Sequence, residues 1–146
     1  MGMFDSMHVS ASGLAAERLR MDVIAQNLAN ANSTRGPDGQ PYRRHEVIFR
    51  SSDSVVGTSP AKNTGTAGDK LSGVEPVAIV EDPSPLRAVY DPSHPDADDN
   101  GNVYYPNVNP VTEMVDMMTA TRAYEANVTA MNAAKNMALK ALDILR

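Results

Sequence analysis

The chain has 146 residues, enough for one ordinary domain, with a net charge of −5 and no cysteine. The missing thiols exclude a disulfide framework, a zinc–thiolate site and a cysteine nucleophile, and dispersed Lys and Arg in an acidic chain argue against nucleic acid as a partner. Five Tyr, two Phe and no Trp leave a conventional core short of large anchors.

The N-terminal stretch, "MGMFDSMHVSASGLAAERLR", lacks a basic start and a long apolar run, so no cleaved signal peptide is expected. No apolar run reaches the roughly 18 residues that a membrane-spanning helix needs. All ten prolines lie from Pro37 to Pro110. Proline inside a helix costs about 3 kcal/mol, so their absence from both ends permits two long helices. The first carries a seven-residue repeat, Met7, Leu14, Met21 and Leu28, flanked by Ala11, Ile24, Ala25 and Ala31. That period keeps one seam facing a partner helix. Asp5 or Ser6 is expected to cap its start, and the helix should fade by Asn30–Asn32, ahead of Gly36-Pro37.

The centre, residues 35–108, holds nine of the ten prolines, and the whole net charge of −5 falls in residues 37–110. Four segments have strand-like β-branched and aromatic content: Tyr42–Phe49, Val74–Asp82, Leu86–Asp91 and Asn102–Pro106. With so many prolines they suggest small twisted hairpins in place of a large sheet. Gly57–Gly73 is rich in Gly, Ser and Thr and reads as a mobile loop. Asp96, Asp98, Asn100 and Gly101 match the opening of a calcium loop, D-x-D-x-N-G. The position of the bidentate Glu is held by Asn107, however, and neither flank is helical. Asn100-Gly101 is instead a strong hairpin-turn signal. His8, His45 and His94 fall in three separate segments, and no nucleophile-elbow, Walker or Rossmann pattern occurs, so neither metal, cofactor nor catalytic residue is expected.

The C-terminal stretch repeats the seven-residue pattern with Met117, Tyr124, Met131, Ala138 and Leu145, and beside it Met114, Thr121, Val128, Lys135 and Leu142. Asn109 can cap it, Pro110 suits the first helical position, and Arg122 and Glu125 can pair one turn apart. "NMALKALDIL" is apolar on nearly every side, and a helix apolar all round must be buried. One partner helix cannot cover it, so the cover must come from other chains. The expected class is mainly α, with long terminal helices paired as a coiled coil (residues 1–34 and 109–146) and a small irregular β-rich centre.

The ends also carry a recognisable pattern. "SASGLAAERLRMDVIAQNLANANSTR" resembles the N-terminal signature of the bacterial flagellar rod and hook axial proteins, through Ser12, Gly13, Leu14, Asn27, Ala29, Asn30, Asn32 and Thr34. "NPVTEMVDMMTATRAYEANVTAMNAAKNMALKALDI" resembles their C-terminal signature, through Asn109, Glu113, Met114, Met117, Arg122, Ala123, Tyr124, Glu125, Asn127, Leu142 and Ile144. Arg35-Gly36-Pro37, "GPDGQPYRRHEVIF" and "VEDPSPLRAVYDPSHPDADDNGNVYYPNVN" are similar to the proximal-rod branch of that family.

The resemblance implies a structural subunit of a helical tube that crosses the periplasm, carries torque and surrounds an export channel. It implies terminal helices lining the inner tube, a central outer layer, and export without cleavage through the flagellar type III apparatus. Partners would be other rod proteins, the basal-body ring and further copies of the chain. Met3 and Phe4 are the candidate export signal. The expected assembly faces are Met7, Leu14, Met21, Ile24, Ala25, Leu28 and Asn30 on the first helix. On the second they are Met114, Met117, Tyr124, Asn127, Val128, Met131, Ala138, Leu142 and Leu145. A free-standing coiled-coil adaptor and a weak calcium module are the alternatives.

Overall fold

Residues 3–36, 38–52 and 72–144 are described by a computed structural model. The two proline-free ends form α1 (Met3–Ala29) and α2 (Pro110–Ile144). Between them lie β1 (His45–Ser52), β2 (Gly73–Glu81), β3 (Arg87–Tyr90) and β4 (Asn102–Tyr105). The strands form two separate antiparallel ribbons, β1–β2 and β3–β4.

α2 begins as its sequence dictates. The Asn109 side chain accepts from Val111 N at 3.0 Å, and Pro110 takes the first turn, where no amide hydrogen is needed. The start of α1 differs from expectation. The helix already runs at Met3, so Asp5 and Ser6 sit within its first turn and not ahead of it. Its end is as expected: Asn30 donates to Gln26 O from both backbone and side chain, and the chain tightens through Ala31 and Ser33. Arg122 and Glu125 are both exposed and form no ion pair, whereas Glu17 and Arg20 on α1 lie 3.7 Å apart.

The helices run antiparallel. Gly13 faces Asn127, Met21 receives a contact from Thr121, and Asn27 meets Glu113, so one chain descends as the other climbs. A Cβ on Gly13 would stand 2.9 Å from Asn127 Nδ2; glycine is what lets the helices close there. On this register the start of α1 falls opposite Met137, and the last turns of α2 run past it. The buried apolar residues of the pair are small or β-branched: Ala16, Val23, Ile24 and Ala31 from α1, Ala120 and Ala134 from α2.

The β1–β2 ribbon lies along α1. His45 at one end is bonded to Asn27, and Val74 N at the other donates to Ser12 Oγ at 3.1 Å. Gly73 opens β2 and does not close the preceding loop: a Cβ there would meet Ser12 Oγ at 2.8 Å. The remainder of the predicted loop, residues 57–71, lies outside the described residues. Pro76 is tolerated because the register shifts there, Ile48 pairing with Ala78 and Phe49 with Pro76.

The acidic turn is real but is not a two-residue hairpin. β3 and β4 close a loop from Asp91 to Gly101, since Tyr90 pairs with Asn102. Within it, Gly101 N donates to Asp98 O and Asp98 N to Asn102 O, with Gly101 at φ +77°. Asn100 has no positive φ, so Gly occupies the left-handed corner of a three-residue turn. Asp96 turns away from Asp98: it accepts from Thr34 Oγ1 at 2.8 Å and lies 3.7 Å from Arg35.

Candidate functional site, a buried polar junction

Asn27 occupies the core face of α1, one turn from Val23, Ile24 and Ala31, and is 1% exposed. A buried amide must find partners or cost free energy. Asn27 finds all four. Its Nδ2 donates to His45 O at 2.9 Å and to Glu113 Oε2 at 3.1 Å. Its Oδ1 accepts from His45 N at 2.9 Å and from Tyr42 OH at 2.8 Å. The amide pairs both backbone groups of His45 as a neighbouring strand would, and so docks the start of β1 on the end of α1. Because the Tyr42 hydroxyl gives its proton to Asn27, its contact with His45 Nδ1 at 2.9 Å requires the proton on that ring nitrogen.

Glu113, in the first turn of α2, is fully buried. Its second oxygen accepts from Arg44 Nε at 2.6 Å, so both carboxylate oxygens are engaged. The Arg44 guanidinium also reaches Glu46 at 2.9 Å and lies 3.7 Å from Asp116 and 3.9 Å from Asp82. Burial works against its charge, but the hydrogen bonds it donates to Glu113 and Glu46 outweigh that and hold the guanidinium above its ordinary range. Arg44 N donates to Asn107 Oδ1 at 2.8 Å, and the Asn107 amide reaches Asp82 O and Ser84 O. One junction thus ties α1, the chain before β1, the turn after β2 and the start of α2. A cavity of about 320 Å³ beside it is lined by Arg20, Val23, Asn27, Arg44, Asp116 and Thr119. Its one fully buried carboxylate is paired with Arg44 and bonded to Asn27, and the chemistry of the junction is that of a clamp.

The expected assembly residues are distributed as follows. On α1, Ile24 is buried, Met7, Leu14, Met21, Leu28 and Asn30 are half-buried, and Ala25 is exposed. Met3 and Phe4 open α1. On α2, Met117, Tyr124, Asn127, Val128, Met131 and Ala138 are half-buried, while Met114 and Leu142 are exposed; Leu145 lies outside the described residues. The exposed apolar side chains of α2 form a stripe of Val111, Met114, Val115 and Met118, and a tail of Met137, Leu139 and Leu142. Among the described residues, no three His, Asp or Glu side chains converge as a metal site would require.

Asn27 and Glu113 belong to the motifs quoted above, but their partnership with Arg44 and Tyr42 was missed. The available signal was a polar residue in phase with the apolar positions of each helix. The signature positions Ser12, Gly13, Asn27, Thr34, Asn109 and Glu113 all serve contacts within this chain.

The same two ends match known families. Residues 7–37 match the family described as flagella basal body rod protein, and residues 99–144 the C-terminal family of the flagellar basal body rod FlgEFG proteins. Over 151 residues, the chain is 49% identical to the flagellar basal-body rod protein FlgC of Bacillus subtilis, with 99% of each chain covered. Against FlgC of Borreliella burgdorferi the identity is 46% over 155 residues, covering 100% of this chain and 99% of the other. The chain belongs to the FlgC family of flagellar basal-body rod proteins. FlgC of Salmonella typhimurium is 42% identical over 144 residues, covering 99% of this chain and 98% of its own. The clamp chemistry of the junction agrees with that membership: this is a structural rod protein, not an enzyme.

Proposed function

We propose that the chain is a subunit of the proximal rod, packed helically with other rod proteins and further copies of itself. In this reading α1 and α2 form the inner wall around an export channel. The central ribbons form the outer layer and meet neighbouring rod proteins and the basal-body ring. The subunit would be exported through the flagellar type III apparatus, with Met3 and Phe4 contributing to recognition, and would carry torque across the periplasm. Its mechanism is mechanical: repeated heterologous contacts that do not close on themselves build a helical filament.

The observation that carries the reading, beside family membership, is the stripe Val111, Met114, Val115 and Met118 on the side of α2 that this chain leaves uncovered. Apolar surface of that extent on a helix calls for a partner. Methionine suits a junction of non-identical neighbours, because its side chain adapts to irregular gaps. Met118, 55% exposed, supplies the test. Met118→Lys should leave the purified chain's helicity unchanged, because the side chain is already in solvent. In cells lacking the native gene, the same variant should give no hooks and no motility. Normal motility would remove this stripe from the interface.

A further inference from the structure

The two apolar rows that face each other are periodic with the same repeat. On α1 the half-buried positions are Met7, Leu14, Met21 and Leu28; on α2 they are Met117, Tyr124, Met131 and Ala138. Sliding α2 by one repeat sets Met, Leu and Tyr against Met, Leu and Tyr again. Of the small residues, Ala16 on one helix and Ala120 and Ala134 on the other accept several neighbours, and the close approach of Gly13 to Asn127 is a steric allowance that supplies no bond to hold the register. Repetitive apolar seams specify register poorly, and a single buried polar pair is a known remedy in helix pairs. Here that pair is Asn27 and Glu113, at 1% and 0% exposure, completed by Arg44.

We propose that the Asn27–Arg44–Glu113 junction, and not the apolar seam, sets the axial register of α1 against α2. A slip of one repeat moves α2 by about 10 Å. It would pull Glu113 away from Asn27 and Arg44, and would bring Ala120 or residues preceding α2 opposite the Asn27 amide. The native arrangement alone satisfies all four bonds of Asn27 and both oxygens of Glu113. The register in turn fixes how far the apolar tail, Met137, Leu139 and Leu142, projects beyond the start of α1. This register device holds whatever the chain's role in the rod.

The chain has no cysteine, so introduced thiols are the only ones. Two double variants of the full chain report register with a short bismaleimide. Met21→Cys with Thr121→Cys marks the native pairing, whose side chains touch at 3.7 Å. Met21→Cys with Val128→Cys marks a one-repeat slip. In the otherwise native chain only the first pair should cross-link. Each pair is then placed in Asn27→Leu/Arg44→Met/Glu113→Leu, which removes the fully buried carboxylate together with its guanidinium; Glu46, Asp82 and Asp116, which also lose Arg44, all reach solvent. Circular dichroism should show retained helix, and the slipped pair should now cross-link with a yield comparable to the native one. Exclusive native cross-linking in the apolar triple variant would overturn the proposal. So would loss of all helix, since the junction would then be required for folding and not for choosing a register. Restoring Asn27 and Glu113 with Arg44→Lys should return most of the native preference, because the amide–carboxylate bond is regained; a slipped product that persists there would also count against it.

Discussion

At the scale of single residues, Glu113 and Asn27 dominate the energetics because each is buried and each is fully bonded. Removing one member of such a group leaves its direct partners short of a bond where water cannot replace it. Glu113→Ala should therefore destabilise the chain by about 3 kcal/mol or more, measured by urea unfolding, because Asn27 Nδ2 and Arg44 Nε each lose their buried acceptor. Val111→Ala, at an exposed position two residues earlier, should cost far less. The junction also has a pH signature. Burial, then the nearby Glu113 and Glu81 carboxylates, raise the Tyr42 hydroxyl above its ordinary value of 10.0. The folded state thus holds this proton more firmly than the unfolded state. The corresponding stability is fully present below pH 10 and is lost as pH rises toward the folded value. Denaturant melts from about pH 9 to 11 should show this loss, and Tyr42→Phe should blunt it.

At the scale of elements, proline placement and capping chemistry made the two helices and their inner boundaries legible. Asn109-Pro110 starts α2 and Asn30 follows the end of α1, as local chemistry requires. The four strands were legible from β-branched and aromatic runs that end at prolines or acidic turns. Two elements escaped. The Asn100-Gly101 signal marks the turn but not the length of the loop around it, because local preference cannot report that Tyr90 and Asn102 pair across a longer loop. The junction escaped because its members are separated along the chain, and nothing in a helical or strand period says that Asn27 will face Arg44. The same distribution predicts an uneven α2. Its first turns are held by the junction, while Leu139 and Leu142 are 51% and 64% exposed past the start of α1. Helical turns without packing are marginal in water. Limited proteolysis of the purified chain should therefore remove residues after Met137 first and spare the helix near Glu113. Equal protection along α2 would contradict this polarity.

At the scale of the whole molecule, the all-round apolar character of the C-terminal stretch pointed to cover from outside the chain, and α1 indeed covers only one side of α2. Met131 lies half-buried in the row between Tyr124 and Ala138. Met131→Lys should cost several kcal/mol wherever that row is packed, because it places an ammonium in an apolar seam. Cells carrying it should make the protein but lack hooks and filaments, as electron microscopy of basal bodies would record. Intact filaments in that strain would mean that the row is not packed in the assembly. Asp99→Lys, in the exposed acidic turn, is the matched control and should leave motility near normal.

The ribbon of β1 and β2 is fastened to α1 twice, through Asn27 to His45 and through Ser12 to Val74. Those two helix positions are fifteen residues apart, which along a helix is about 22 Å. A strand of eight residues spans about 26 Å, so the ribbon bridges nearly the same length as the helix segment beneath it. An attachment at one point would leave the ribbon free to swivel, and a twisting load on it would be spent in turning it. With both ends fastened, the same load becomes shear between ribbon and helix. Shear is opposed by every contact along that length at once. Cutting the far fastening alone, by Ser12→Ala, would turn a beam clamped at both ends into a cantilever.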